Sequence, residues 1–389
     1  MKITEVECHT LLAPDYNTGL TSSAQDSFVV IIRTDEGIFG VGESDVNPWI
    51  AKACIEARGT HTMSLCARDL LIGENPLDIE SIWNNIYIRT AMHGRRGAFI
   101  HALGAVEMAL WDIKGKALNK PVYALLGGAP PRERILPYAS LQPNGASFES
   151  YRDSLVAWAS KAKDLGFKAV KAEVTMNGPY AHSGLHENYE KHTEVVAAVR
   201  KEIGPDIALM VDVQYMWPNA DICLETVRDW KEFNLFFLET PIWVDDLEGM
   251  ERLHAEAPMP IAFGEWQATR HEFVELMDHG KIDIAQPDIG RVGGLIEAMA
   301  VCEMAKVRDR KIVPHCWKTG ISISATAHLA FVTPHCPFIE FLPPTLSEDA
   351  LRRELVAQEL TMLNGEILLP KTPGLGIELN WDALNRFAA

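Results

Sequence analysis

Residues 208–213 read ALMVDV, and five later runs repeat the theme: FFLET (236–240), IAFGE (261–265), IDIAQPD (282–288), KIVPH (311–315) and FIEF (338–341). Each is short and apolar and ends on or beside one polar residue, giving the series Asp212, Glu239, Glu265, Asp288, His315 and Glu340. The intervals are 27, 26, 23, 27 and 25 residues by subtraction. Each interval holds enough chain for one helix and two loops, which is the period of a β/α repeat. In a (β/α) barrel the C-terminal ends of the strands form one ring, and active sites of this fold sit there. Six residues spread over the chain then point into a single cup. Five are carboxylates, and the sixth is the side chain best suited to proton transfer near neutral pH.

Upstream, ILPYASL (135–141) and FKAVKAEV (167–174) supply two more strands, for eight in all. Their starts lie 32 residues apart, and the next strand starts 41 residues further on. The excess is the polar insertion MNGPYAHSGLHENYEKH (176–192), a long loop on the active face. Helical stretches fit between strands, among them SYRDSLVAWASKAKDLG and GGLIEAMAVCEMAKVRD. Residues 1–125 break this rhythm. ITEVECHTLL and SFVVIIRTDEGIFGVGE read as strands, the second a hairpin turning at TDEG. Helical patterns follow at 50–70, 78–90 and 97–118. Strands followed by helices imply an α+β domain. The division expected is therefore 1–125 as an α+β domain, 126–360 as an α/β barrel, and 361–389 as a C-terminal segment packing back on the first domain.

Composition narrows the function. The chain has 389 residues, 47% hydrophobic and 23% charged, as befits a large soluble fold. Its net charge of −17 (36 basic against 53 acidic residues) argues against nucleic acid or an anionic membrane as partner. Seven cysteines stand singly, with no CxxC pair, so neither a disulfide framework nor a zinc cluster is expected, and the cytoplasm is the natural compartment. MKITEVECHT lacks the apolar run of a signal peptide.

Asp212, Glu239 and Glu265 end three successive strands. Two carboxylates 4 Å apart repel by about 4 kcal/mol at an effective dielectric of 20, so three need relief. Shared protons, a nearby Lys or Arg, or a divalent cation would each serve. An oxygen-only donor set suits a hard ion, most simply Mg²⁺, and the absence of His and Cys counts against zinc. Any one of these acids alone reads equally well as a helix cap or a surface ion-pair partner; three in a row do not.

Asp288 and His315 end the next two strands. A carboxylate on one imidazole nitrogen fixes the tautomer and turns the other nitrogen to the substrate; a buried His–Asp pair with a structural task is the plainer alternative. In FKAVKAEV, alternation puts Lys171 and Glu173 on one face. If that face is inward, a lysine offsets the acids and serves as a base if its pKa falls; otherwise the two form an internal ion pair. Glu340 either donates a hydrogen bond to a developing oxyanion when protonated, or orients substrate hydroxyls. Trp317 and Lys318 follow His315 and are candidate substrate contacts. So are Tyr16 in APDYNTGLTSS (13–23) and Arg95 or Arg96 in AMHGRRGAF (91–99), where an arginine meets a distal hydroxyl or carboxylate. His182 and His186, in the loop after the second strand, are placed to close the site.

VDVQ, LETP, GEW, QPDIGRVGGL and PHCWKTG, with VEMALWDIKGKALNKPVYALLGG nearer the N-terminus, together resemble the enolase superfamily, mandelate racemase subgroup. The likeness covers nearly the whole chain. It implies an N-terminal α+β capping domain that governs substrate choice, set over a (β/α)7β TIM-like barrel. It also implies Mg²⁺ on Asp212, Glu239 and Glu265, with Asp288–His315 as the catalytic dyad, since sites of this superfamily pair a Lys or His base with Mg²⁺ that stabilises an enediolate. One position departs from the pattern. The subgroup often carries Lys-x-Lys on the second strand, where this chain has Lys171 and Glu173. Racemisation needs a base on each face of the α-carbon, so dehydration is the better expectation. The resemblance thus implies a hydro-lyase acting on a small acid-sugar substrate, an aldonate or aldarate, and giving a 2-keto-3-deoxy acid. Alternatives are a racemase, epimerase or cycloisomerase using the same enediolate, and a barrel that binds Mg²⁺ and a sugar acid without turnover. Symmetric homo-oligomers are common among barrels, so one is expected here.

Overall fold

The chain opens with an antiparallel meander of β1 (Ile3–Leu12), β2 (Asp26–Thr34) and β3 (Phe39–Ser44). The hairpin turns at TDEG as the sequence predicts, with Gly37 at positive φ. Five helices follow: α1 (Pro48–Glu56), α2 (Ala67–Leu71), α3 (Ile79–Arg89), α4 (Ala91–Gly94) and α5 (Ala98–Ala117). The 50–70 helix of the sequence reading is therefore two helices. Arg58–Gly59–Thr60, a poor helix-forming run, starts a turn closed by a bridge between His61 and Ser64. Helix α5 is buried along most of its length and lies directly on β3. Gly42 permits that approach, since a Cβ there would fall 1.8 Å from the Ala105 carbonyl oxygen. A computed structural model provides these coordinates and describes residues 1–129 and 131–389.

After α6 (Tyr123–Leu126) come the eight barrel strands: β4 (Arg134–Leu141), β5 (Ala169–Glu173), β6 (Ala208–Asp212), β7 (Leu235–Glu239), β8 (Ile261–Phe263), β9 (Ile284–Ala285), β10 (Lys311–Ile312) and β11 (Phe338–Glu340). They pair in parallel and in order from β4 to β10, and β11 pairs with β4. The remaining seam is bridged by Ile312 N donating to His335 O at 3.1 Å. The intervening helices are α7 (Phe148–Asp164), α8 (Tyr189–Ile203), α9 (Ala220–Val227), α10 (Leu247–Glu256), α11 (Thr269–Asp278), α12 (Ile289–Val292), α13 (Leu295–Val307) and α14 (Gly320–Phe331).

The barrel interior is a plug with one buried residue from each strand position: Tyr138, Ala169, Met210, Phe237, Ala262, Ile284, Val313 and Phe338. Side chains alternate along a strand, so the next inward layer lies two residues on. There the sequence supplies Ser140, Lys171, Asp212, Glu239, Gly264, Gln286, His315 and Glu340. One polar layer thus rests directly on an apolar floor.

The chain then forms α15 (Ala350–Glu354) and four short strands, β12 (Val356–Gln358), β13 (Met362–Leu363), β14 (Glu366–Leu368) and β15 (Glu378–Leu379), before α16 (Trp381–Arg386). Strand β14 pairs antiparallel with β4 of the barrel. The segment also meets the N-terminal domain: Leu375 N donates to Asp112 of α5 at 2.9 Å, Trp381 packs edge-on against Phe39 of β3, and at the end Leu12 N donates to Phe387 O and Ala389 N to Thr10 O, both at 2.9 Å.

Candidate active site

A cavity of about 160 Å³ lies between the Thr21–Ser23 segment and the C-terminal ends of the barrel strands. Lys171, Glu173, Asp212, Glu265, His315 and Glu340 all reach it. Glu239 is fully buried just behind, beside Asp212 in strand register.

His315 Nδ1 lies 2.7 Å from Asp288 Oδ2. The other oxygen of Asp288 accepts from Gly290 N at 2.8 Å and caps α12, which fixes the acid's orientation. His315 Nε2 points to the cavity side but stands 3.2 Å from Glu265 Oε2, so the imidazole bridges two carboxylates. Burial disfavours its charge, yet the Glu340 charge, the Asp288 bond and Glu265 outweigh that and push its pKa up to about 9.

Lys171 does face inward, as alternation requires. Its Nζ lies 2.8 Å from Glu239 Oε1 and 3.2 Å from Glu340 Oε1, with almost no solvent contact. Burial opposes its charge, but the surrounding acids hold it protonated well above its ordinary value. Its partner is therefore Glu239 rather than Glu173. Glu173 has an unpartnered buried Oε1, and burial with the nearby Asp212 raises its pKa to about 8. Glu340 differs from the expectation of a protonated donor. Burial pushes it up, but Lys171, His315 and the Cys316 N–H (2.7 Å) bring it down to about 2, so it is an anion that only accepts.

The three candidate metal ligands occupy adjacent strand ends, each engaged by protein donors. Asp212 accepts from Thr240 Oγ1 at 2.8 Å and Gln214 N at 3.0 Å. Glu239 accepts from Lys171 and from Gln286 Nε2 at 2.7 Å. Glu265 accepts from Tyr215 OH at 2.9 Å. Among the described residues no three His, Cys, Asp or Glu side chains are gathered into a ready metal cage. Their donor chemistry does fit a hard divalent cation. All ligating atoms are oxygen, and burial and mutual repulsion raise the pKa of both Asp212 and Glu239, against the pull of Lys171. Gly264, at φ +131, leaves the inward position of its strand without a side chain, and Glu265 takes the next position.

The substrate contacts separate into two groups. Trp317 lines the cavity, and its Nε1 donates to Ser22 Oγ at 3.3 Å. Lys318 does not line it. Its Nζ turns the other way, donating to the Ser23 and Asp26 carbonyls and pairing with Asp26 Oδ1 at 2.9 Å and Asp45 Oδ1 at 3.0 Å. There it ties the Ser23–Asp26 segment to the barrel. Arg95 and Arg96 also lie off the cavity; Arg96 Nε meets Glu272 Oε1 at 2.9 Å on the outer helix α11. Tyr16 is half exposed and stands off the catalytic cavity, and neither His182 nor His186 lines it, His182 packing edge-on against Tyr151.

Sequence reasoning gave no role to Arg291, which lies three residues after Asp288. Buried, it pairs with Asp45, donates to the Asp45 and Glu265 carbonyls at 3.1 and 3.3 Å, and stands 3.5 Å from Glu265 Oε2. With Lys318 it lowers the Asp45 pKa to about 2 against the pull of burial. Ser140 and Gln286 were equally missed, although the two-residue step above the plug predicts both.

Residues 2–127 match the mandelate racemase / muconate lactonizing enzyme N-terminal domain, and residues 154–383 match the enolase C-terminal domain-like family. The chain belongs to the enolase superfamily, in its mandelate racemase subgroup. It is 30% identical to a D-galactarolactone cycloisomerase of Agrobacterium fabrum (strain C58), over 100% of this chain and 99% of that one. It is 31% identical to an arabinonate dehydratase of Saccharolobus solfataricus, over 92% and 89%. The crystal structure of the 3,6-anhydro-D-galactonate cycloisomerase from Zobellia galactanivorans superposes with a TM-score of 0.85, at 31% identity and full coverage of both chains. No helix among the described residues is long and apolar enough to cross a membrane.

Proposed function

We propose that the protein is a hydro-lyase that eliminates water from a sugar acid. One observation supports this reading above others: the Lys171 ammonium is buried and held between Glu239 and Glu340, and among the described residues lining the cavity His315, held by Asp288, is the one imidazole. A racemase needs a base on each face of the α-carbon. An elimination needs one group that takes a proton and later returns it.

Asp212, Glu239 and Glu265 would hold Mg²⁺. When bound, the ion would neutralise the substrate carboxylate and lower the energy of charge that develops on it. The protein's part is positioning and proton transfer. Asp288 holds the imidazole so that Nε2 faces the cavity, and this nitrogen removes the proton at C2. The electron pair left at C2 enters an enediolate and then forms the C2–C3 double bond as the C3–O bond breaks. The imidazolium returns its proton to the departing hydroxyl, which leaves as water from the same face. The resulting enol tautomerises to the 2-keto-3-deoxy acid. Glu173, neutral at pH 7 with a free oxygen toward the cavity, donates a hydrogen bond to the substrate's oxygens. Glu265 would no longer raise the His315 pKa once neutralised by the cation it would hold, which frees Nε2 to take the proton, while Glu340 keeps Lys171 charged and stabilises the imidazolium that forms at His315.

A second reading is favoured by one observation: the two cycloisomerase relatives are matched over their full or nearly full lengths. In that version the leaving oxygen remains tethered, and the product is an isomer of the substrate. Mass spectrometry separates the two. Purified protein with Mg²⁺, screened against a stereochemically complete library of aldonates, aldarates and their lactones, should yield a product lighter by one water. Chelation should abolish turnover and added Mg²⁺ restore it. An isomeric product would favour the second reading, and deuterium uptake at C2 without any elimination would point to a racemase and overturn both. The net charge of −17 argues against nucleic acid or an anionic membrane as partner, the singly spaced cysteines fit the cytoplasm, and a homo-oligomer follows from the habit of barrels to associate.

A further inference from the structure

Beside the catalytic cavity lies a second one of about 180 Å³. Ser22, Ser140, Leu141, Gln142 and Trp317 line both, so the two form one cleft, narrowed where Trp317 is bonded to Ser22. Its two ends differ in charge. The catalytic end mixes Lys171, Arg291 and His315 with Glu173, Asp212, Glu265 and Glu340. At the other end, among the described residues, no Lys, Arg or His lines the wall, and the ionisable side chains are Asp15, Glu348 and Asp349. Asp349 caps α15 by accepting from Arg352 N at 3.1 Å, and Glu348 accepts from Asn144 Nδ2 at 2.9 Å. The nearby cations are turned to other groups: Lys161 Nζ donates to Thr345 O at 2.6 Å and lies over the Trp158 ring. Lys318 is shared between Asp26 and Asp45, and the Arg352 guanidinium turns to Leu342 O and Glu359.

We infer that the second cavity receives the far end of the substrate and that this end is uncharged: the protein takes polyhydroxy acids with one carboxylate and discriminates against those with a carboxylate at each end. The inference rests on the elimination reading, because it places the reacting carboxylate at the Asp212–His315 end. A second carboxylate would then meet a wall that carries three acids and, among the described residues, no cation, and like charges repel, most at the part-buried Asp349. A hydroxyl at the same place finds acceptors in Asp349 and Glu348.

The test compares acids of matched stereochemistry, D-gluconate with D-glucarate and D-galactonate with D-galactarate. Both kcat/KM and, through tryptophan fluorescence, Kd are measured with Mg²⁺ present. The one-carboxylate acid should be preferred by on the order of tenfold or more in both. Glu348→Gln with Asp349→Asn keeps the bond to Asn144 and the helix cap, since Asn caps as well as Asp. This variant should narrow the preference at least about threefold, through a gain on the diacid; Asp349→Asn alone should narrow it in the same sense. Equal or better use of the diacid, or a preference untouched by the variants, overturns the inference. If neither acid is turned over but the binding preference and its narrowing remain, the subsite stands and the elimination reading falls. Absence of both binding and turnover removes both.

Discussion

The barrel wall and the cap wall of the cavity spend their charges differently. On the barrel side, Lys171, Asp212, Glu239, His315 and Glu340 occupy one layer and face one another across a space small enough for each to alter the next. On the cap side, Asp26, Glu43 and Asp45 are all turned to barrel partners: Lys318, the Thr319 and Ser322 N–H groups, and Arg291. What the cap offers the cavity is the neutral Thr21–Ser23 segment. The barrel therefore carries the chemistry, and the cap supplies a wall held in place by ion pairs, one of which, Asp45–Arg291, also brings the Arg291 guanidinium to the cavity.

The largest expected effect lies on the barrel side. His315→Asn should lower kcat/KM by about 10²–10⁴-fold, with Mg²⁺ affinity by calorimetry close to wild type. Unchanged turnover would put the proton-transfer group elsewhere. Lys171→Met leaves Glu239 and Glu340 buried without their cation. It should cost about 3–5 kcal/mol of stability in denaturant melts without added metal. A wild-type melt would mean that the ammonium does not hold this layer together.

The cap side breaks in another way. Lys318→Met leaves Asp26 and Asp45 without their shared cation, at a cost of up to about 3–5 kcal/mol. Because the layer above the plug is untouched, KM should rise more than kcat falls, as the Ser22–Asp26 segment loosens. A kcat loss matching that of His315→Asn would erase the distinction between the walls. The smallest effect is expected at Arg96→Ala. Its pair with Glu272 is partly exposed and off the cavity, so stability should change by about 0–1 kcal/mol and KM should hold. A marked KM rise would return Arg96 to the substrate.

The barrel's eight strands and its polar layer were legible because one rule links them. Apolar runs supply the plug, and the residue two further on points the same way, which placed Asp212, Glu239, His315 and Glu340 together and turned Lys171 inward. The cap's role was not legible from neighbourhood in sequence. Trp317 and Lys318 are consecutive, yet one faces the cavity and the other faces Asp26 and Asp45, because successive side chains diverge and only the cap's acids decide where the lysine goes. The charge state of Glu340 was hidden for a similar reason: Lys171 and His315, which set it, come from two other strands. Arg291 sits in the quoted QPDIGRVGG stretch, but its partner Asp45 is 246 residues away.

The central claim is that His315, oriented by Asp288, moves the proton at C2. Proton NMR of an accepted sugar acid in D₂O with Mg²⁺ tests it most directly. With wild-type protein the C2–H signal should disappear and a 2-keto-3-deoxy product should grow in, and neither should happen with His315→Asn. Product formation by His315→Asn at the wild-type rate would contradict the claim.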